Sequence, residues 1–157
     1  MEPNQEFREF VELLEFHGVN FVIIGGYAVF SHGYPRYTGD IDFLVEKSTD
    51  NAEKLVKVVN EFFGYQPHIT EESFLDDDRM GQFGEPPYRI DILVNVPGIV
   101  FSEVYPRHIM GKIDGKDAPM LCLQDLIISK RAAGRKKDLG DLEALEEIEA
   151  ARKRNSK

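Results

Sequence analysis

Phe7, Phe10, Val11 and Leu14 recur with the period of a helix and polar residues fill the gaps, so residues 5–17 are predicted to form an amphipathic helix ending at His17-Gly18. Phe21-Val22-Ile23-Ile24 has no polar position at all. A continuous apolar run of that length predicts a strand buried on both faces, as in a sheet covered by helices. Residues 27–32 are read as a short helix cut off by Gly33 and Pro35, and residues 40–45 as the second strand. Asp50 and Glu53 resemble a capping arrangement for a helix that carries Leu55, Val58, Val59 and Phe62 and stops at Gly64. Residues 65–78 show no period and are expected to be an irregular connection. Residues 79–83 and 88–94 flank Gly84-Glu85-Pro86-Pro87, the pattern of two strands joined by a turn. Residues 109–113 and 118–121 flank Asp114-Gly115, which predicts a second hairpin. Two helices follow, one over about 123–133 with Leu123, Leu126, Ile127 and Lys130 along one side, the other over 138–151 with Leu142, Leu145 and Ile148.

This order predicts an α/β (α+β) fold, a mixed β-sheet flanked by helices, as one domain over 1–157 with its core at about 5–151. The basic tail 152–157 is expected to fray. Neither a repeat nor a linker interrupts the chain. Its 157 residues, 42% hydrophobic and 30% charged, suit an ordinary globular protein. The net charge of −9 disfavours extended DNA or RNA and anionic membranes as partners. The longest apolar stretch, residues 21–30, is broken by glycines and too short to span a membrane. The N-terminus lacks the layout of a signal peptide, so cytoplasmic residence is the expectation. Cys122, the only cysteine, allows no internal disulfide and reads as a small buried apolar residue between Leu121 and Leu123.

Two places carry candidate chemistry. Gly25-Gly26 turns the chain directly after the buried strand, which lets backbone N–H groups approach a ligand closely; in isolation a ligand-free turn is an equal reading. Asp40-Ile41-Asp42 then opens the next strand, and the alternation of side chains sends both carboxylates to one side. Like charges so close make sense with a divalent cation between them, and oxygen donors suit magnesium, which takes its remaining ligands from waters and substrate phosphates. Asp91, the one acid in the apolar run 90–94, is either a third ligand or the partner of Arg89 or Arg36 in an ion pair. Three such carboxylates could hold one or two Mg2+ ions against a triphosphate. Asp76-Asp77-Asp78 reads as a solvated acidic loop. The four histidines lack zinc spacing, and His32 reads as a surface residue of the short helix, or as a pocket residue. Lys130, Arg131, Arg135, Lys136 and Lys137 read, on their own, as a solvated face near a helix end.

Gly25-Gly26, Arg36-x-Thr38-x-Asp40-Ile41-Asp42 and Asp91 resemble the nucleotidyltransferase superfamily with the polymerase-beta-type minimal core. Lys130 to Leu142, with its Lys…Arg-x-Lys-Asp-x-x-Asp-Leu pattern, resembles the ending of the small prokaryotic branch that includes toxin-like proteins of the AbiEii type. The resemblance implies an enzyme that moves a nucleoside monophosphate from an NTP to an acceptor hydroxyl, a small molecule, protein or RNA end, and releases pyrophosphate. It implies that Asp40, Asp42 and Asp91 are catalytic and bind metal, and that Gly25, Gly26, Arg36, Thr38 and Lys130 bind the nucleotide. It implies further that Asp138 orients the basic residues and that a toxin-type member has a cognate antitoxin as partner. Gly26 stands where many relatives have serine, leaving only backbone donors there. Two other readings are a non-catalytic nucleotide- or partner-binding module of the same fold and a Rossmann-like dinucleotide binder, the latter disfavoured by the missing third glycine.

Overall fold

A computed structural model of the protein describes residues 3–36, 38–86 and 88–156. Pro87, part of the turn expected between the third and fourth strands, lies outside the described residues, as does Lys157 of the tail. In chain order the elements are α1 (Pro3–Phe16), β1 (Phe21–Ile24), α2 (Gly25–Ser31), β2 (Ile41–Val45), α3 (Thr49–Phe63), β3 (Met80–Phe83), β4 (Ile90–Leu93), α4 (Phe101–Val104), β5 (Ile109–Ile113), β6 (Lys116–Met120), α5 (Leu123–Ala133) and α6 (Lys136–Asn155). The six strands form one mixed sheet in the order β3-β4-β2-β1-β6-β5. Its centre is β2, antiparallel to β1 and parallel to β4, while β1 runs parallel to β6. The two expected hairpins are the two ends of this sheet, β3 with β4 and β5 with β6.

The apolar pattern accounts for the core. Phe7, Phe10, Val11 and Leu14 of α1 are fully buried, as are all four residues of β1. Phe10 meets Phe43 of β2 and Phe62 of α3 with ring centroids 5.4 and 5.3 Å apart, so α1 and α3 cover the sheet face that Phe43 occupies. By alternation Asp42 and Leu44 face the opposite side. The β5–β6 hairpin turns through Asp114 and Gly115, both at positive φ, as its two-residue loop requires.

Several local expectations are corrected. The second helix begins at Gly25 itself rather than at residue 27, and β2 begins at Ile41, one residue after Asp40. Ser48, not Asp50, caps α3, its hydroxyl accepting the Asn51 N–H at 3.1 Å. The connection 65–78 contains a 3₁₀ turn at Glu71–Phe74, whose Phe74 is buried, and the short α4 adds an element that its four residues were too few to signal. Helix α6 continues to Asn155, so residues 152–155 of the tail are helical rather than frayed. Arg152 gives the reason: its guanidinium donates to His32 Nδ1 and O at 3.3 and 3.4 Å. His32 is therefore buried, neither a surface nor a pocket residue, and its Nε2 bonds the Leu121 carbonyl at 2.9 Å. Burial pushes its imidazole down from the ordinary value. Cys122 is only half-buried; it precedes α5 and its thiol donates to Asp125 at 3.3 Å.

Asn51 joins β1 to β2 from outside the sheet. Its buried amide accepts from Asn20 N at 2.8 Å and donates to Asn20 O at 3.1 Å and Glu46 O at 2.8 Å, tying the chain entering β1 to the chain leaving β2. Asn51→Ala removes this partner from three partly buried backbone groups, of which Asn20 O keeps the Glu46 N–H at 3.1 Å. Urea unfolding should report a loss of about 2–3 kcal/mol; a change below about 0.5 kcal/mol would show that water replaces the amide without cost.

Candidate active site

The end of β1, the start of β2 and the start of β4 lie side by side, with Ile24 opposite Asp42 and Asp42 opposite Asp91. That register, which no local pattern encodes, brings two acids 49 residues apart in the chain onto neighbouring positions of one face. Gly25 lies over the Asp42 carboxylate so closely that a Cβ at residue 25 would collide with it, and its φ of +70° independently favours glycine. A Cβ at residue 26 would run into the side chains of Thr38 and Arg36. The glycine pair is thus the bare floor that lets a loop and an acid close in. No side chain caps the N-terminus of α2.

Above this floor a cavity of about 740 Å³ opens, and Gly25, Gly26, Arg36, Thr38, Asp40, Asp42, Asp91 and Lys130 all line it. Met80, Pro86, Leu93, Val96 and Pro97 form an apolar wall from the β3–β4 side, and Arg135 and Lys137 reach it from the start of α6. Asp42 and Asp91 share a hydrogen bond; burial first, then the Asp91 charge and that bond, push the Asp42 carboxyl up to about 7.

The three aspartates do not yet stand as an ion cage. Among the described residues no group of three or more His, Cys, Asp or Glu side chains is arranged to hold a metal. Arg89 engages two of the three. Its backbone N–H donates to Asp40 Oδ1 at 2.8 Å, and its guanidinium grips Asp91 with Nε–Oδ1 2.7 Å and a second bond of 3.1 Å to Oδ2. The ion-pair reading of Asp91 is therefore present in the structure, while Asp91 also lines the cavity beside Asp42. In its chemistry the donor set fits a hard divalent cation: Asp91, buried, and Asp42, half-buried, lie side by side with Asp40 at the rim, and all three offer oxygen alone.

Opposite, a second set of acids organises the cations. Lys130 is buried, with Nζ 3.2 Å from Asp138 and 3.0 Å from Asp141. Arg36 meets Asp141 with Nε–Oδ1 2.8 Å, and Arg135 meets Asp138 with Nε–Oδ2 2.7 Å. Burial opposes ionisation of Asp138, yet the hydrogen bonds from Arg135 and Lys130 hold its carboxyl below the usual range. The basic cluster is thus divided: Lys130 and Arg135 belong to this network, whereas Arg131 pairs with Glu146 in the open. From the sequence Asp141 was quoted only within the C-terminal block, Arg135 only as part of a solvated basic face and Arg89 only as an ion-pair partner of Asp91; none was given a task in the site. Asp141 had a signal, because it falls one helical turn from Asp138 on the stripe of Leu142 and Leu145, where an unpaired acid is costly. Arg89 had a weaker one, two residues before Asp91 on a strand.

A glycine turn, carboxylates on neighbouring strands and ordered cations thus line one cleft, and the class of protein in which that cleft sits is the nucleotidyltransferases. The chain belongs to the family described as nucleotidyl transferase of unknown function (DUF2204), whose model matches residues 4–156. Among curated proteins none matches it significantly. In fold it is similar to the lincosamide antibiotic adenylyltransferase LnuA in its lincomycin-bound crystal structure, with a TM-score of 0.61, 16% identity, and coverage of 92% of this chain and 96% of that one. The antibiotic-resistance factor ANT(2'')-Ia is similar with a TM-score of 0.55 and 15% identity over 98% of this chain and 92% of that one. An antigenic nucleotidyltransferase-like protein from Paracoccidioides brasiliensis gives 0.52 and 14% over 92% and 75%. Among the described residues no helix is long and apolar enough to cross a membrane.

Proposed function

We propose that this enzyme transfers a nucleoside monophosphate from an NTP to an acceptor hydroxyl, with Mg2+ held by Asp40, Asp42 and Asp91. The observation that carries this reading is the convergence of those acids with Gly25, Gly26, Arg36, Thr38 and Lys130 on one cavity, from segments more than 100 residues apart. One or two magnesium ions would supply polarisation of the α-phosphate and neutralise charge on the departing pyrophosphate. Lys130 and Arg36, fixed by Asp138 and Asp141, bind the phosphate chain on the side facing the acids. The bare backbone of Gly25 and Gly26 lets the phosphates approach, with Thr38 beside them. Asp91, next to Asp42, accepts the proton of the acceptor hydroxyl. The acceptor oxygen bonds to the α-phosphorus, the bond from that phosphorus to the bridging oxygen of the β-phosphate breaks, and pyrophosphate leaves.

Incubation with α-labelled NTPs, Mg2+ and cell extract should label an acceptor and release pyrophosphate, and Asp42→Ala should remove both signals. Nucleotide bound in the cavity without any label transfer would replace this reading with the non-catalytic module. A toxin-like role, with a cognate antitoxin as partner, is the narrower form of the proposal and rests on the Lys130 to Leu142 block. Growth arrest by the native chain but not by Asp42→Ala supports it; unaffected growth with both discards it.

A further inference from the structure

The cations around the cavity are not equivalent. Lys130, Arg36 and Arg135 are committed to Asp138 and Asp141 on α6. Arg89 instead stands just before β4 and shares a strand face with Asp91 two residues on, so its guanidinium folds back over the acids themselves. The fork takes both Asp91 oxygens, at 2.7 and 3.1 Å, and the same terminal nitrogen lies 3.7 Å from Asp40 Oδ2. The Arg89 amide meanwhile holds the other Asp40 oxygen. One residue therefore occupies the oxygens through which two of the three acids would face a cation. Its side chain keeps 27% of its surface exposed, against 7% for Asp91, so it can withdraw into solvent without opening the core.

We propose that Arg89 is an internal counter-cation that competes with the divalent metal for Asp91 and Asp40 and must swing aside when the metal binds. The proposal rests on the assignment of the aspartates as metal ligands. A guanidinium bound through both oxygens and a metal ion cannot use the same lone pairs, and each disfavours the other by like charge. Without Arg89 the buried Asp91 carboxylate would lose its ion-pair partner, a costly change. Arg89 thus balances the charge of the acids and sets a threshold for metal binding. A residue that served stability alone would not weaken metal binding.

Mn2+ alone, followed by the loss of the free-ion electron paramagnetic resonance signal, tests this with the native protein, Arg89→Met, Arg89→Lys and Asp42→Ala. Arg89→Met should bind Mn2+ about tenfold more tightly or better, a gain of about 1.4 kcal/mol. Its metal-free melting temperature should fall, and Mn2+ should raise it by more than it raises that of the native protein. Arg89→Lys keeps the charge but loses the two-pronged grip; it should fall between the two, and it carries the comparison if Arg89→Met folds poorly. Affinity equal to or weaker than native in the folded variants overturns the role of Arg89 and leaves the aspartates as ligands. Native binding no stronger than that of Asp42→Ala, with no gain in either Arg89 variant, overturns both.

Discussion

Asp42→Asn is expected to abolish nucleotidyl transfer and, at the same time, to make the metal-free protein more stable above neutral pH. The activity loss should exceed about 100-fold, since even partners one step removed from a metal commonly cost 10–100-fold. The stability gain follows from proton linkage. In the folded protein burial, and then Asp91, raise the Asp42 carboxyl from its ordinary 3.8 to about 7. The folded state therefore holds this proton over a range in which the unfolded chain has released it. The resulting stabilisation is complete below the unfolded value and is lost progressively as pH rises from about 4 to about 7. Each unit of that interval is worth about 1.4 kcal/mol, so the ionised acid burdens the native fold by on the order of 2–4 kcal/mol at pH 8. Asparagine keeps the shape and cannot ionise. Thermal melts in chelator should show the variant matching the native protein near pH 4 and exceeding it at pH 8, with the difference shrinking when Mg2+ is added to the native protein. A native melting temperature independent of pH between 4 and 8 would contradict the shared-proton arrangement of Asp42 and Asp91.

Asp141→Ala has the second large effect. Asp141 holds Arg36 at 2.8 Å and Lys130 at 3.0 Å, with its side chain only 6% exposed, and so aligns two cations that approach from opposite ends of the chain. Removing one partner of a buried charge network typically costs 3–5 kcal/mol, and a loss of about 3 kcal/mol is expected here. Function should be hit separately. With Arg36 and Lys130 no longer held in register, the apparent KM for NTP should rise about tenfold or more, the kinetic signature of lost phosphate binding, while the effect on kcat is smaller. Asp141→Asn keeps the packing and some hydrogen bonding; it should recover most of the stability and only part of the nucleotide affinity. A variant that melts early yet binds NTP as the native protein does would reduce Asp141 to a structural residue.

These two residues mark the boundary of what the sequence showed. Asp42 was visible at once, because two acids at strand spacing beside a glycine turn make an unusual local pattern. Asp141 was quoted within the C-terminal block but given no task, since its partners lie 11 and 105 residues away and nothing local names them. Arg89 is the sharper case. Its sequence position allows an ion pair with Asp91, and the structure contains that pair, but only the packing of β4 against β2 shows that the same arginine also reaches Asp40 and stands where a cation would sit. His32 and Arg152 went astray for the same reason: a short helix and a basic tail look solvent-facing until α6 is seen to run back across His32.

By itself the sequence determined the longer elements, their order, the buried faces of α1 and β1, and the turns at Gly25 and Asp114-Gly115, because helix and strand periods and backbone preferences act between residues a few positions apart. The tertiary structure alone decided the strand order β3-β4-β2-β1-β6-β5, the placement of Asp91 beside Asp42, the bridge from Arg36 to Asp141 and the reach of Arg89 to Asp40. Those are contacts between distant segments, settled by which surfaces bury one another best when the whole chain closes, and no short window of residues contains them.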